Sequence, residues 1–224
     1  DHAMLLDCRS LERRFVPIRE DEVRIVIVNS MEGHALAEAG DQLDAPDGRT
    51  HEGSPYNMRR LACEIGVEAI HAKHTHVRAL RDATLEMLDE ARPKLTNVIF
   101  RRCRHVITKI DRCAKFARSV ANSSYTEAGR LMFASHESLR DDYEVSTSAL
   151  DNLVEIARSV PGVFGCRLTG AGFGGCVVAL VKPEAVDAFT DSVRSGFKTE
   201  SDDSVQIIVT RATDGAHVVC DFIG

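Results

Sequence analysis

The pattern of hydrophobic and polar positions divides the chain into an initial group of strands, a run of helices and a mixed final part. Short apolar or alternating runs that end at polar residues are typical of strands. At the start of the chain they predict strands at His2 to Cys8, Arg14 to Ile18 and Val23 to Val28. Apolar residues at three- and four-residue steps are typical of amphipathic helices. They predict helices at Tyr56 to Ile65, Ala79 to Glu90, Asn97 to Ser119, Thr126 to Leu139 and Ser146 to Val160.

The final part of the chain alternates between strands and one helix. The predicted strands are Phe164 to Leu168, Val177 to Val181, Val205 to Thr210 and His217 to Phe222, and the predicted helix is Glu184 to Phe197. An order of strands, then helices, then β-loop-β-α-β-β is typical of an α+β fold. We therefore expect helices that cover a mixed or antiparallel sheet.

One stretch between these parts has neither periodicity. From Glu38 to Pro55 the chain is rich in Asp, Gly, Pro and small polar residues. These residue types favour turns and loops. We therefore predict a mobile surface loop over this stretch.

The overall composition is that of an ordinary globular protein, with 44% hydrophobic and 28% charged residues. The formal net charge of −6 argues against nucleic acid or an anionic membrane as the main partner. No apolar run approaches the ~18 residues that a membrane span requires, so no membrane association is predicted.

The cysteines and histidines do not form a recognisable metal site. The 7 cysteines include no C-x-x-C pair, and their mostly apolar or helical surroundings favour buried, reduced thiols in a cytoplasmic protein. Of the 9 histidines only His71, His74 and His76 cluster, and nothing nearby completes a ligand set with the usual spacing. We predict no metal site in this chain.

The segment LTGAGFGGCVVALV, from Leu168 to Val181, places four glycines and one alanine between two apolar runs. A dinucleotide-binding G-x-G-x-x-G must open a helix, whereas Cys176 to Val181 has the pattern of a strand. A protein-kinase glycine loop does lie between strands, but too little chain follows Lys182 and no H-R-D or D-F-G motif occurs. Two explanations remain: a tight turn with φ > 0 at several positions, or a loop of free N–H groups close to a phosphate or a phosphate-holding loop.

Five segments, in chain order, resemble the galactokinases, a family of GHMP small-molecule kinases. The segment VNSMEGHALAEAG…SPYNMRRLACE resembles the part of the family that carries a sugar-contacting tyrosine. RRCRHVITKIDRCAKFA and SHESLRDDYEVSTSALDNLV are similar to its helical region, and DGAHVV to its closing strand. The glycine segment is similar to the family's third, C-terminal signature. The match extends from about His2 to about Cys220.

The resemblance implies transfer of the γ-phosphate of MgATP to the 1-hydroxyl of α-D-galactose, with ATP and Mg²⁺ as cofactors and galactose as substrate. The family has two lobes with the active site between them. Its catalytic aspartate and arginine, its G-E-H-x-D-Y segment and its serine-rich ATP loop lie in the N-terminal half, and none of these motifs occurs here. We therefore expect this chain to be the C-terminal portion of such an enzyme, inactive alone, with ATP and Mg²⁺ bound mainly by the other half.

The resemblance assigns two contributions to this chain. Tyr56, in SPYNMRR, matches the tyrosine whose hydroxyl meets the sugar; by itself it would be a half-buried aromatic at a helix start. The residues of the third signature are expected to lie against the ATP-phosphate loop and support it without direct catalysis. They are Thr169, Gly170, Ala171, Gly172, Phe173, Gly174 and Gly175. We expect the Phe173 ring to fill the core between the lobes.

The expected organisation is the end of the N-terminal lobe at residues 1–30, followed by a GHMP-kinase C-terminal domain at 31–224. Residues 38–55 depart from the family pattern and are interpreted as an inserted surface loop near Tyr56. The charged junction from Arg140 to Glu144 is expected to be structural, with Asp142 capping the next helix.

Two other functions stay open. One is a galactokinase-like sensor that binds sugar and ATP and signals to a partner; the other is an N-acetylgalactosamine kinase. The segments that would separate them are expected outside this chain. A cytoplasmic location and a monomer are further expectations, together with an exposed apolar surface where the other lobe packs.

Overall fold

The computed structural model describes residues 2–32, 40–198 and 205–213. Its strands are β1 (His2–Leu6), β2 (Arg13–Pro17), β3 (Arg24–Asn29), β4 (Asp41–Asp44), β5 (Thr50–Gly53), β6 (Val163–Thr169), β7 (Cys176–Val181) and β8 (Gln206–Thr210). Its α-helices are α1 (Pro55–His71), α2 (Leu85–Ala91), α3 (Asn97–Ala121), α4 (Tyr125–Asp141), α5 (Ser148–Ser159) and α6 (Val186–Gly196).

The main sheet holds β6, β7, β3 and β8 in that order, and every neighbouring pair is antiparallel. The inner strands β3 and β7 are built around continuous runs of β-branched and other apolar residues, as expected for strands that are covered on both faces. Val28 and its register partner Val177 contribute to the core on one face of the sheet. Ile25 and its partner Leu180 contribute to the core on the other face.

Helices cover both faces of this sheet. Helices α5 and α6 supply buried residues such as Leu153 and Phe189 on one face. Helices α3 and α4 and the β1–β2 pair cover the other face, with Val120 and Tyr125 buried there. A separate core joins α1, α2 and α3. A fully buried Leu or Phe stabilises a fold by roughly 1.5–3 kcal/mol. The loops at the ends of β3, β6 and β7 are therefore attached to a sheet that is held by well-packed cores.

The predicted α+β fold is confirmed, and most elements lie within a few residues of their predicted bounds. The helix predicted from Tyr56 to Ile65 continues to His71. The helix predicted from Ala79 to Glu90 is instead a short 3-10 turn followed by α2, because Thr84 caps the new helix by accepting from Met87 N. The strand predicted at His217 to Phe222 lies outside the described residues.

The prediction of a mobile loop from Glu38 to Pro55 is wrong for residues 41–53, which form the antiparallel β4–β5 hairpin. Its Leu43 side chain is only 2% exposed and packs in the core of α1, α2 and α3. Leu43 thus anchors a mostly polar hairpin to the helices, together with the ion pair between Asp41 and Arg59.

The strand β3 lies just before the domain boundary predicted after residue 30, and that boundary stays a prediction. Only β1 and β2 form a sheet of their own, whereas β3 is an inner strand of the main sheet, between β7 and β8. The sheet of the C-terminal domain therefore includes residues on both sides of the predicted boundary.

The cysteines of the described residues are unpaired, but fewer are buried than predicted. Cys103 and Cys166 are buried, Cys8 and Cys113 are exposed, and the others are intermediate. Cys220 lies outside the described residues.

The β1–β2 pair exposes several large apolar side chains, which include Met4, Leu6 and Phe15. Among the described residues, no helix combines the length and the apolar character needed to cross a bilayer.

Candidate functional site

The glycine loop, residues 170–175, joins β6 to β7 in an unusual backbone conformation. Five of its residues have positive φ: Gly170 (83°), Gly172 (85°), Phe173 (63°), Gly174 (118°) and Gly175 (84°). Glycine adopts this region without a steric cost, whereas other residues rarely do. The glycines are therefore required by the path of the chain. As predicted, the loop leads into a strand, which excludes a dinucleotide-binding turn.

One side of the loop is fixed to neighbouring segments. The Phe173 N–H donates to Val145 O at 2.8 Å, and the Ser30 N–H, just after β3, donates to Gly175 O at 2.8 Å. At Gly172 an added Cβ would overlap with Val145 O and lie 2.8 Å from Val145 Cβ. The backbones of the loop and of Val145 approach so closely that only glycine fits at Gly172.

The other side of the loop is open. Gly170 and Ala171 are exposed, and a Cβ built on Gly170 would meet nothing within 4 Å. Apart from the Phe173 N–H and the hydrogen-bonded turn at Gly170 and Ala171, the N–H groups of residues 170–175 have no hydrogen-bond partner among the described residues. Successive unpaired N–H groups in a loop of this kind form a concavity that suits anions. The loop therefore fits a phosphate group, or a second loop that holds one.

The Phe173 side chain packs into the core of its own domain. Its side chain is 9% exposed and belongs to the core formed by the sheet with α5 and α6. The guanidinium carbon of Arg59 lies 5.1 Å from the ring centroid, which is within the range of cation–π attraction. Phe173 thus anchors the loop to its own domain, and its expected contact with the other lobe stays a prediction.

Tyr56 lies at the start of α1, where it remains accessible. Ser54 caps the helix by accepting from Asn57 N at 3.3 Å, and Pro55 occupies the first turn, where its missing N–H costs nothing. The Tyr56 side chain is 64% exposed. The prediction of a half-buried aromatic from the helix pattern alone is wrong, and an exposed phenol at a helix start suits contact with a ligand.

The charged junction after α4 is held by local ion pairs. Asp142 pairs with Arg104 and accepts from Ser138 Oγ at 3.2 Å. The predicted capping role of Asp142 is wrong, because α5 begins at Ser148 and Thr147 caps it by accepting from Leu150 N. The side chains of Arg140 and Asp141 pair with each other at 2.7 Å.

His136, a residue that the sequence did not single out, supports the strand that leads into the loop. The Leu168 N–H donates to His136 Nδ1 at 3.3 Å, so the proton is on Nε2, which donates to Asp151 Oδ1 at 3.1 Å. Burial lowers the pKa of His136, and the nearby Asp151 offsets this only in part. A neutral imidazole therefore joins α4, α5 and the end of β6. The residues that His136 contacts are distant in the sequence, so the spacing of the sequence does not predict these contacts.

A second buried histidine, His105, lies on α3. His105 is 1% exposed and stacks on the Tyr143 ring at a centroid distance of 4.6 Å. Since Ser138 Oγ donates to Asp142, it accepts from His105 Nδ1 at 2.9 Å. Burial, with smaller contributions from Lys109 and Arg112, lowers the pKa of His105 to about 3. His105 is therefore neutral near pH 7 and acts in packing.

The described residues hold no group of three or more His, Cys, Asp or Glu side chains arranged for a metal ion. His74 lies 3.0 Å from Glu90, which also pairs with Lys73. Metal ligation is therefore not assigned to the side chains of residues 2–32, 40–198 and 205–213.

Comparison with known proteins identifies the relatives of this site. The family model for the C-terminal domain of GHMP kinases matches residues 116–199. The galactokinase of Canis lupus familiaris is 39% identical over 218 residues, which are 97% of this chain and 50% of that protein. The galactokinase of Homo sapiens is 39% identical over 219 residues, with coverages of 98% and 50%. That of Roseiflexus sp. (strain RS-1) is 37% identical over 221 residues, with coverages of 99% and 52%. The chain spans about half the length of the curated relatives it matches.

Solved structures agree with these relatives. Lactococcus lactis galactokinase complexed with galactose has a TM-score of 0.77 and 29% identity, over 93% of this chain and 50% of that one. L. major mevalonate kinase in complex with R-mevalonate has a TM-score of 0.50 and 15% identity, over 95% of this chain and 50% of that one. At that identity the second structure is evidence of the shared fold alone.

Proposed function

This chain is a galactokinase homologue that carries the C-terminal domain of the GHMP kinases, and from that premise we propose that the full-length gene product phosphorylates galactose. The reaction is the transfer of the γ-phosphate of ATP to the 1-hydroxyl of α-D-galactose. Curated galactokinases match almost the whole chain, and the similar Lactococcus lactis enzyme was solved with galactose bound. The kinase relationship supports the use of ATP.

The observation that carries this proposal is the glycine loop with its unpaired N–H groups. Phosphoryl transfer requires mainly the positioning of phosphates and the neutralisation of their charge. In our proposal residues 169–175 lie against the segment that binds the ATP phosphates and keep it in place. The anchored side of the loop, at Val145 and Ser30, gives this support a fixed base.

Tyr56 is proposed as the sugar contact of this chain. Its exposed side chain at the start of α1 can offer a hydroxyl to a sugar oxygen as donor or acceptor. The β4–β5 hairpin immediately precedes α1 in the chain, so Tyr56 is presented by a folded and anchored segment. Contact with galactose through this hydroxyl would orient the sugar, and the proton transfer itself is assigned to residues outside the chain.

When bound, Mg²⁺ would neutralise charge on the ATP phosphates. The described residues do not offer a cluster of ligands for it. No part of the reaction is therefore assigned to Mg²⁺ through this chain, and its binding is proposed to depend on residues elsewhere in the gene product.

The proposal is tested by assaying the full-length gene product for ATP-dependent phosphorylation of galactose, N-acetylgalactosamine and a no-sugar control. Wild type is compared with Tyr56→Phe, which removes only the hydroxyl. We expect turnover on galactose and a loss of about tenfold in kcat/KM in the variant, corresponding to one hydrogen bond to the substrate.

The other outcomes are distinct. Turnover on N-acetylgalactosamine in place of galactose would show that the gene product is a sugar kinase with a different substrate from the one proposed. Binding of sugar and ATP without turnover would indicate a sensor and contradict the proposal. Galactose turnover that is equal in wild type and Tyr56→Phe would remove Tyr56 from the site.

A further inference from the structure

We propose that Arg59 is a positioning residue that fixes the start of α1, which carries Tyr56, relative to the glycine loop. The inference rests on the proposed function, because it concerns how one chain presents a sugar-side segment and a phosphate-side segment together. It assigns the role to an arginine that does not itself contact a substrate.

Arg59 is placed between the two segments. It follows Tyr56 by three residues on α1, and residues three apart lie near each other on a helix surface. Unlike Tyr56, Arg59 is only 7% exposed. A guanidinium group is rarely buried to this extent unless its donors are used.

The donors of Arg59 are directed at three different segments. Nε donates to Tyr143 O at 3.2 Å and Nη2 donates to Glu144 O at 2.7 Å. Nη1 donates to Pro55 O at 3.3 Å and pairs with the carboxylate of Asp41 on β4. One planar group thus joins the first turn of α1, the β4–β5 hairpin and the turn after α4. A lysine ammonium does not have the fixed fork of donors that this arrangement uses.

The turn after α4 is directly connected to the glycine loop. Glu144 has a φ of 58°, a conformation that non-glycine residues seldom adopt without support. Its carbonyl accepts from Arg59, and its carboxylate accepts from Arg101 Nη2 at 2.7 Å. The next residue, Val145, accepts the Phe173 N–H at 2.8 Å and leaves no room for a side chain at Gly172. Holding Glu144 therefore holds the anchored side of the loop.

A second connection is direct. The Arg59 guanidinium carbon lies 5.1 Å from the centroid of the Phe173 ring, so the same group contacts a loop side chain as well as the turn that supports the loop. Both connections would be lost together in Arg59→Ala. Tyr56 would then keep its helix, but the distance from Tyr56 to the loop would no longer be fixed.

The test uses the full-length gene product with Arg59→Ala, Arg59→Lys and the matched control Arg60→Ala. Arg60 is the next residue on α1, its side chain is 72% exposed, and its ion-pair partner among the described residues is Glu64, at 2.9 Å. Amide hydrogen exchange is measured at Phe173 in each variant, and KM for galactose and for ATP is measured separately from kcat.

We expect Arg59→Ala to raise amide exchange at Phe173 and KM for both substrates by about tenfold or more, because small displacements of substrate-positioning groups have effects of this size. Arg59→Lys is expected to lie between Arg59→Ala and wild type, and Arg60→Ala to match wild type. If Arg59→Ala does not fold, the comparison of Arg59→Lys with Arg60→Ala decides.

Three results would overturn the inference. One is unchanged exchange at Phe173 in a folded Arg59 variant. Another is a uniform rise in exchange with a lower active fraction and unchanged KM values, which indicates a merely structural arginine. The third is an equal effect of Arg60→Ala. Should the wild type not phosphorylate sugars, the proposed function fails, and the exchange at Phe173 still decides whether Arg59 couples the segments.

Discussion

The β4–β5 turn and the β6–β7 turn both reverse the direction of the chain, but they differ in how their backbone N–H groups are paired. The turn between β4 and β5 satisfies itself: the Ala45 N–H donates to Arg49 O, the Gly48 N–H donates to Ala45 O, and the Arg49 N–H donates to Asp47 Oδ1. It requires one residue with positive φ, Gly48 at 83°. The glycine loop between β6 and β7 has five such residues, and among the described residues its N–H pairing is limited to the Phe173 N–H and the turn at Gly170 and Ala171.

The difference shows what the extra glycines are for. Reversing the chain direction needs one or two permissive residues, as in the β4–β5 turn. A loop that leaves N–H groups unpaired and also packs its backbone closely against Val145 needs several such residues. The contrast supports the interpretation of residues 170–175 as a loop shaped for a ligand or a neighbouring segment.

Gly172→Ala should have the largest effect on the free energy of unfolding. The added Cβ would overlap with Val145 O, and the φ of 85° is unfavourable for alanine, so the backbone of the loop or of Val145 must move. We expect a loss of roughly 4 kcal/mol in urea denaturation. A loss below about 1 kcal/mol would show that the close approach is not required.

Leu43→Ala should destabilise the protein through the other hairpin. The side chain is 2% exposed in the core of α1, α2 and α3, and a buried Leu→Ala substitution typically costs about 3 kcal/mol. We expect this loss in denaturation with little change in KM for ATP. Stability equal to wild type would restore the prediction of a mobile loop at residues 38–55.

Acidification should loosen the base of the glycine loop. Because the pKa of His136 is lowered from its ordinary value of 6.5, the folded state keeps the imidazole neutral while opened states take up a proton. Stability is therefore present above pH 6.5 and is lost as the pH falls below it. Exchange at the Leu168 amide, corrected for its intrinsic pH dependence, should rise by up to about tenfold between pH 7 and pH 5.5.

His136→Gln is the control for this effect. The glutamine amide can still donate toward Asp151 but does not titrate. The rise in Leu168 exchange at low pH should disappear in this variant. The same rise in His136→Gln as in wild type would assign it to another group.

The sequence predicted the elements in which apolar residues recur regularly because one or both faces are buried. Strands β3, β6 and β7 each contain a run of apolar residues, and α3 repeats its apolar positions over many turns, so their type and place were readable. The β4–β5 hairpin was not, because DQLD and THEG contain one apolar residue between them. Its fold depends on what Leu43 and Asp41 meet in space.

The candidate site was predictable to the same extent. Glycines with positive φ can be inferred from their density, and the resemblance to galactokinases singled out Tyr56 and residues 169–175. The burial of Arg59 and His136 could not be inferred, because arginine is mostly exposed and histidine intermediate in burial, and the partners of both residues are distant in the sequence. Such polar contacts are decided by tertiary packing and leave no periodic pattern.

The smallest effect on stability belongs to Gly170→Ala and Gly48→Ala. Both glycines have a φ of 83°, and at both an added Cβ meets nothing within 4 Å. Each substitution should cost about 1 kcal/mol through backbone conformation alone. The two variants therefore have the same backbone strain. They differ in the turn that carries it, and only the glycine loop has a row of N–H groups that are unpaired among the described residues.

The most direct test of the central claim is steady-state phosphorylation of galactose by the full-length gene product with each of these two substitutions. We predict that Gly170→Ala lowers kcat/KM for ATP by about tenfold or more, while Gly48→Ala retains wild-type kinetics at the same loss of stability. Equal kinetics in the two variants would contradict the claim that the glycine loop is shaped for the phosphate side of the reaction.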